Sequence, residues 1–245
     1  RVLARSLRAE GLILKIEHAT SELMVRDSLA LERCLVVDGR AMEHGMQLIA
    51  VLGIGDRGSR KARPVTARIA DSWFVRNFQN EQPAPMLRFG SVETAPTYFE
   101  SIEIARSGFL GNAFAAELEL QFARQATITG SLFYKTWPSG ALVSSISSGE
   151  VVIDDSVIFV EDAGHIARHG DESPPIKLAA STRIYPKSEA GRARPPAGLV
   201  AEPAQFRERA SVAAAEDVIA EAVRMPATII PGPELMAKLV GPLGR

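Results

Sequence analysis

Two consecutive stretches near the middle of the chain limit what it can fold into. Phe114 to Gln125, FAAELELQFARQ, sets Leu118, Leu120 and Phe122 on one side and Glu117, Glu119 and Gln121 on the other. Ala126 to Trp137, ATITGSLFYKTW, is rich in β-branched and aromatic residues. Successive side chains of a strand point to opposite faces, so a two-residue period of this composition predicts half-buried strands. Between residues 46 and 185 the stretches MQLIAVLG, PVTARIAD, MLRF, YFESIEIA, EVVIDDSVIFVED and IKLAASTRIY read the same way, separated by Gly and Pro clusters. Short strands at regular spacing predict a mainly all-β core, an antiparallel β-sandwich, over residues 46–185.

The flanks differ. Residues 1–45 read as an N-terminal arm or mixed segment. Leu12 to His18 (LILKIEH) is a candidate strand, Thr20 or Ser21 a candidate cap for a short helix running to Arg33, and Asp38-Gly39 a turn signal. From 186 to 245 the chain reads as a proline-rich linker, one helix and a C-terminal arm. PKSEAGRARPPAGLVAEP holds four prolines and three basic residues. Phe206, Ala210, Ala213, Ile219, Ala222 and Val223 then keep helical spacing after Pro203, and Pro226 stops the helix. No internal repeat is read from the sequence.

Charge and cysteine content narrow the partners. With 28 basic and 29 acidic residues the net charge is −1, which removes any global attraction to nucleic acid or an anionic membrane and leaves only local basic loops as nucleic-acid contacts. Hydrophobic residues at 46% supply a genuine core. The single Cys34 cannot form an intrachain disulfide or a Cys-based metal site, and in Cys34-Leu35-Val36-Val37 it reads as a buried thiol. No apolar run approaches the ~18 residues of a membrane span, and Leu12-Ile13-Leu14 is too short for a signal-peptide core. The chain begins with Arg and is expected to be a processed product or fragment.

Val51 to Gly58, VLGIGDRG, spells the G-x-G-x-x-G of a dinucleotide-binding loop through Gly53, Gly55 and Gly58, and Asp71 lies 18 residues after Gly53. That loop works only when a helix follows, because the helix N-terminus holds the pyrophosphate. Pro64 blocks such a helix, and VTARIAD reads as strand. The stretch is therefore expected to be a glycine-rich connection between strands, with Arg57, Arg60, Lys61 and Arg63 as a candidate contact for a polyanion or a neighbouring subunit.

In EDAGHIARHGDE, Glu161, Asp162, His165, His169, Asp171 and Glu172 put six potential ligands in twelve residues. On a helix His165 and His169 would share a face, and with Asp171 they are the candidate metal ligands; carboxylate-plus-imidazole chemistry favours a divalent cation. Gly164 and Gly170 argue instead for a polar loop. Trp73, Phe74 and Phe78 interleave with Arg76 and Asn77, as a base-stacking surface or as core anchors. SSISSG supplies hydroxyls without an evident base. No catalytic group, cofactor or metal is assigned, and the chain is expected not to be an enzyme.

Residues 107–143, SGFLGNAFAAELELQFARQATITGSLFYKTWPSGALV, resemble the central strands of a picorna-like viral coat protein of the plant-virus type. The matching parts are the lead-in Ser107 to Asn112, the strand Ala115 to Gln125, the step Gly130-Ser131-Leu132 and the turn Trp137-Pro138. That resemblance implies a jelly-roll sandwich with extended arms. It further implies a self-assembling shell subunit located in the virion or host cytoplasm, with copies of itself or related shell subunits as partners. The alternative reading is an all-β binding or assembly module of a bacterial or phage complex, in the bacterial cytoplasm. An enzyme, using a metal at His165 and His169 or a nucleotide at Gly53, Gly55 and Gly58, comes third.

Overall fold

A computed structural model describes residues 2–17, 21–41, 47–54, 64–79, 84–91, 98–135, 137, 140–170, 172–188 and 198–224. Every strand pairing among them is parallel. The antiparallel, jelly-roll-like sandwich expected from the alternation is therefore corrected.

The chain climbs in coils. The first holds β1 (Val2–Glu10) and β2 (Ile13–Leu14). The second holds β3 (Ser21–Glu32), β4 (Leu35–Val37) and β5 (Arg40–Ala41). The third holds β6 (Ile49–Gly53), β7 (Pro64–Ala70), β8 (Trp73–Val75) and β9 (Phe78–Gln79), and the fourth β10 (Pro85–Ser91), β11 (Tyr98–Ala105) and β12 (Gly108–Leu110). Next come β13 (Ala116–Gln121), β14 (Gln125–Thr129) and β15 (Leu132–Tyr134), then β16 (Ala141–Ile146), β17 (Glu150–Asp154) and β18 (Val157–Val160). The last full coil is β19 (Ala167–His169), β20 (Ile176–Leu178) and β21 (Arg183–Pro186), and β22 (Leu199–Val200) starts another turn.

Each strand pairs with its counterpart one coil on. Gly108, Leu132, Val157 and Arg183 are successive partners, 24, 25 and 26 residues apart. A seven-stranded sheet, β2-β4-β8-β12-β15-β18-β21, forms one face. A thirteen-stranded sheet forms the other two, joined because the long β3 pairs with β6 through its first half and with β7 through its second. This sheet curls around the core like a barrel wall, but its strands rise as a coil, and its end strands β19 and β22 are not paired with each other among the described residues. The architecture is a parallel β-solenoid, a repeat fold that the sequence did not announce.

Corners explain the coil. Gly11, Arg33, Asp71, Arg106, Gly130 and Asp155 all have positive φ, between 43° and 68°. A single left-handed residue bends the chain onto the next face without reversing it. The five amides from Gly11 to Gly130 donate to carbonyls one coil on, at Glu32, Ala70, Ala105, Thr129 and Asp154. The next residue in each coil from the third to the seventh carries a hydroxyl: Ser72, Ser107, Ser131, Ser156 and Thr182 (one residue further along its corner). Each hydroxyl accepts from the amide of its counterpart one coil back, beginning with Cys34 N, at 3.1 to 3.5 Å. The buried Cys34 occupies the same position one coil earlier, its thiol donating to Glu32 O at 3.4 Å.

Inside, registered columns of like residues stack. Leu31, Ile69, Ile104, Ile128, Ile153 and Leu178 form one. Val36, Phe74, Phe109, Phe133, Ile158 and Ile184 form another. The rings of Phe74, Phe109 and Phe133 are stacked with centroids 4.9 Å apart and planes within 8°.

Two local expectations are also corrected. The helix proposed from Thr20 or Ser21 to Arg33 is the strand β3, whose Val25, Leu29 and Leu31 are buried in the core. Phe122, expected on the face of Leu118 and Leu120, is a corner residue with φ of 56° and lies exposed. The C-terminal helix is present but shorter: Pro203–Gln205 and Arg209–Val212 are 3-10 turns, and α1 is Ala213–Arg224.

Candidate functional site

The residues singled out in the sequence separate in space. Arg57, Arg60, Lys61 and Arg63 lie outside the described residues, as does Asp171. Gly53 ends β6 and β7 begins at Pro64, with Gly55 and Gly58 outside the described residues. Asp71 is a corner residue held by Arg106 through two 2.7 Å hydrogen bonds rather than a ribose acid. His165 closes a 3-10 turn, Ala163–His165, and His169 ends β19, so the two do not share a helix face. Among the described residues no three His, Cys, Asp or Glu side chains are grouped to hold a metal. Trp73 and Phe74 are buried, Trp73 lying over Gly108. Ser145 is in register with His169, but its buried Oγ makes no hydrogen bond and is not an activated nucleophile.

Three other places concentrate chemistry. The first is a strap over the seven-stranded sheet. Val75, Leu110, Tyr134, Phe159 and Tyr185 face outward there and are covered by Val212 of the 3-10 turn Arg209–Val212 and by Ala215, Ile219 and Val223, one stripe of α1. Arg209 anchors it: Nε donates to Glu216 Oε2 at 2.8 Å, Nη2 donates to Glu216 Oε1, Nη1 donates to Val160 O at 3.0 Å, and the guanidinium sits 5.7 Å from the Phe159 ring centroid. At the far end Arg76 donates to Val223 O at 2.5 Å while held by Asp38. The Arg209 hydrogen bonds hold the Glu216 carboxyl below its usual range, and Arg76 does the same to Asp38. A cleft of about 550 Å³ opens beside the strap, lined by Tyr134, Glu161, Lys187, Arg209 and Glu216. Its charges are paired, Lys187 with Glu161 at 3.3 Å and Arg209 with Glu216, so it reads as a latch rather than a reaction centre.

The second place is a buried polar corner. Asn77 and Asn112 stack as a ladder: Asn112 Oδ1 accepts from Asn77 N at 2.9 Å and from Asn77 Nδ2 at 3.0 Å. Asn112 Nδ2 donates to Phe74 O at 3.0 Å and to Glu117 Oε2 at 3.0 Å. Lys135 Nζ lies 3.6 Å from Glu117 Oε1 and donates to Phe114 O at 3.1 Å. Both charged side chains are 1% exposed. By register Glu117 stands between Met86 and Leu142, both buried, so a carboxyl occupies an otherwise apolar column. Burial pushes the Glu117 carboxyl up, against the pull of Lys135 and Asn112.

The third place is the first coil. β1 pairs with β3 alone among the described residues, and Val2 (43%), Leu3 (65%), Leu12 (43%) and Ile13 (48%) are exposed there. At the other end of the described coils Val200 of β22 is also exposed, but polar contacts gather beside it. β22 pairs with β20, Phe206 bridges to Ile184, and the buried Gln205 donates to Ala179 O at 2.5 Å and Thr182 O at 3.3 Å.

Compared with known proteins, the chain matches no family model, and neither a curated protein nor a solved structure matches it. The buried corner escaped sequence reading because Asn112, Glu117 and Lys135 are spread over 24 residues and meet only when coils stack. A usable signal was present in the recurring Ile69-Ala-Asp-Ser72, Ile104-Ala-Arg-Ser107, Ile128-Thr-Gly-Ser131 and Ile153-Asp-Asp-Ser156, which marks the coil and hence the register.

Proposed function

We propose that the chain is an all-β assembly module that works as a rigid scaffold and self-associates through its first coil. The observation carrying this reading is the first coil as described, where the edge of β1 lies beside four exposed aliphatic side chains. An edge strand beside apolar surface is a template on which a further strand can pair and bury that surface. The occupant is a second copy, meeting first coil to first coil. Such a contact is isologous and closes at a dimer, and it sets Val2, Leu3, Leu12 and Ile13 against the same residues of the other copy. The paired charges of the cleft support a structural rather than a catalytic role.

Light scattering over a concentration series tests this. The wild-type chain is expected to be a dimer, and the Leu3→Glu, Ile13→Glu double variant a monomer with unchanged circular dichroism. A wild-type chain that stays monomeric at high concentration overturns the reading.

A further inference from the structure

The buried corner contains every part of an acyl-transfer site, assembled from the chain itself. We propose that Lys135 and Asn112 join in an intramolecular isopeptide bond, formed autocatalytically with Glu117 as the proton carrier.

The nucleophile is the Lys135 amine, removed from solvent beside the Phe114 carbonyl. Passing one Nζ proton to the neighbouring Glu117 carboxylate turns a buried ion pair into two neutral groups, which removes the cost of holding two charges out of water. Neutral lysine is a competent nucleophile. The electrophile is Cγ of Asn112, whose Oδ1 already accepts two N–H groups from Asn77. Two donors fixed on that oxygen form an oxyanion hole for the tetrahedral intermediate. Glu117 touches both ends of the reaction, with Oε1 beside the attacking Nζ and Oε2 on the departing Nδ2. A carboxyl that burial pushes up, and that touches both nitrogens, suits that relay.

The balance is complete without a co-reactant. Nζ closes on Cγ as the Lys135 side chain swings from the Phe114 carbonyl, and the C=O electron pair moves onto Oδ1. Glu117, holding the first Nζ proton, delivers it to Nδ2 and takes up one of the two still on Nζ, so the new amide nitrogen keeps one hydrogen and Glu117 ends as the neutral acid. The carbonyl re-forms, the Cγ–Nδ2 bond breaks, and Nδ2 leaves as ammonia with the bonding pair. Nothing is oxidised or reduced. Holding the three groups in one dry corner supplies the proximity that makes amide exchange feasible. The product keeps Oδ1 in the asparagine ladder and ties the fourth coil to the fifth.

Mass spectrometry of the folded, then denatured, wild-type chain reads the outcome directly. The expected mass is that of the sequence less one ammonia. Trypsin is expected to release residues 107–124 joined to residues 125–168, with no cut after Lys135. Glu117→Gln and Lys135→Met are expected to show full sequence mass. Wild-type protein at full sequence mass after prolonged incubation overturns the proposal, whatever the variants do. An ammonia loss confined to one linear peptide, as in succinimide formation, overturns it as well.

Discussion

Ser131→Ala tests the corner that makes this chain a solenoid. Ser131 Oγ accepts from Ser107 N at 3.2 Å and donates to Thr129 O at 3.1 Å. Removing it has unequal effects on the two partners. Thr129 O still accepts from Arg106 N at 2.9 Å, so it remains satisfied. Ser107 N is buried with its coil and loses its acceptor. An orphaned buried donor costs about 1–3 kcal/mol, against about 1 kcal/mol for an ordinary net hydrogen bond, so the expected loss is about 1–3 kcal/mol. Urea unfolding followed by far-UV circular dichroism measures it as a lower midpoint at constant slope. Hydrogen exchange gives the local readout, with protection falling at the Ser107 amide more than at Ser72. Ser131→Thr should recover most of the loss because Thr182 fills the last rung, where its Oγ1 accepts from Ser156 N at 3.5 Å. Ser131→Cys should fall between, as Cys34 shows that a thiol fits the column although sulfur accepts weakly. A loss below about 0.5 kcal/mol with unchanged Ser107 protection would refute the argument that the ladder amide has no other partner.

Acid should release the strap before it unfolds the coils. The Glu216 carboxyl is held below its ordinary value of 4.5 by Arg209, so its stabilising contribution is complete above that value and disappears as pH falls through the lower folded one. Proteolytic cutting within residues 203–224 is expected to rise below about pH 4.5 in the wild type, and Glu216→Gln should show the same susceptibility already at neutral pH; identical pH profiles would count against the latch. Gly108→Ala would place a Cβ 2.3 Å from Trp73 Cε3, which forces the indole to move. It should cost about 1–3 kcal/mol and shift Trp73 fluorescence, read in a Trp137→Phe background; an unchanged spectrum and midpoint would contradict the close packing. The dimer and the isopeptide link complete the set with the measurements given above.

Much of the strand content was legible because burial alone writes it. YFESIEIA is β11 from Tyr98 to Ala105, and PVTARIAD is β7 with Asp71 as its corner. The errors arose where one residue changes the meaning of a run. Ala126 to Trp137 reads as one strand with Gly130-Ser131-Leu132 as a step inside it, yet Gly130 at φ 58° bends β14 into β15 on the next face. Thr20 or Ser21 as a cap predicts a helix to Arg33, although pairing with β1, β6 and β7 holds Ser21–Glu32 extended. The metal candidates rested on helical spacing that the 3-10 turn and β19 do not provide.

The sequence by itself determined much of the strand content, most of the apolar side chains that are buried, and that a C-terminal amphipathic stripe must cover something apolar. These are local properties, decided largely by each residue's transfer free energy, whereas corners at Arg33, Asp71 and Arg106 adopt a positive φ that their residue types do not favour. Tertiary structure alone decided the direction of pairing and the identity of neighbours. Period-two alternation is the same in parallel and antiparallel sheets, since it records which face is buried and not which strand lies alongside. Only the stacking of coils, 24 to 26 residues apart in the later turns, turned Ser107, Ser131 and Ser156 into a ladder. The same stacking brought Asn112, Glu117 and Lys135 into one dry corner, where their chemistry can act.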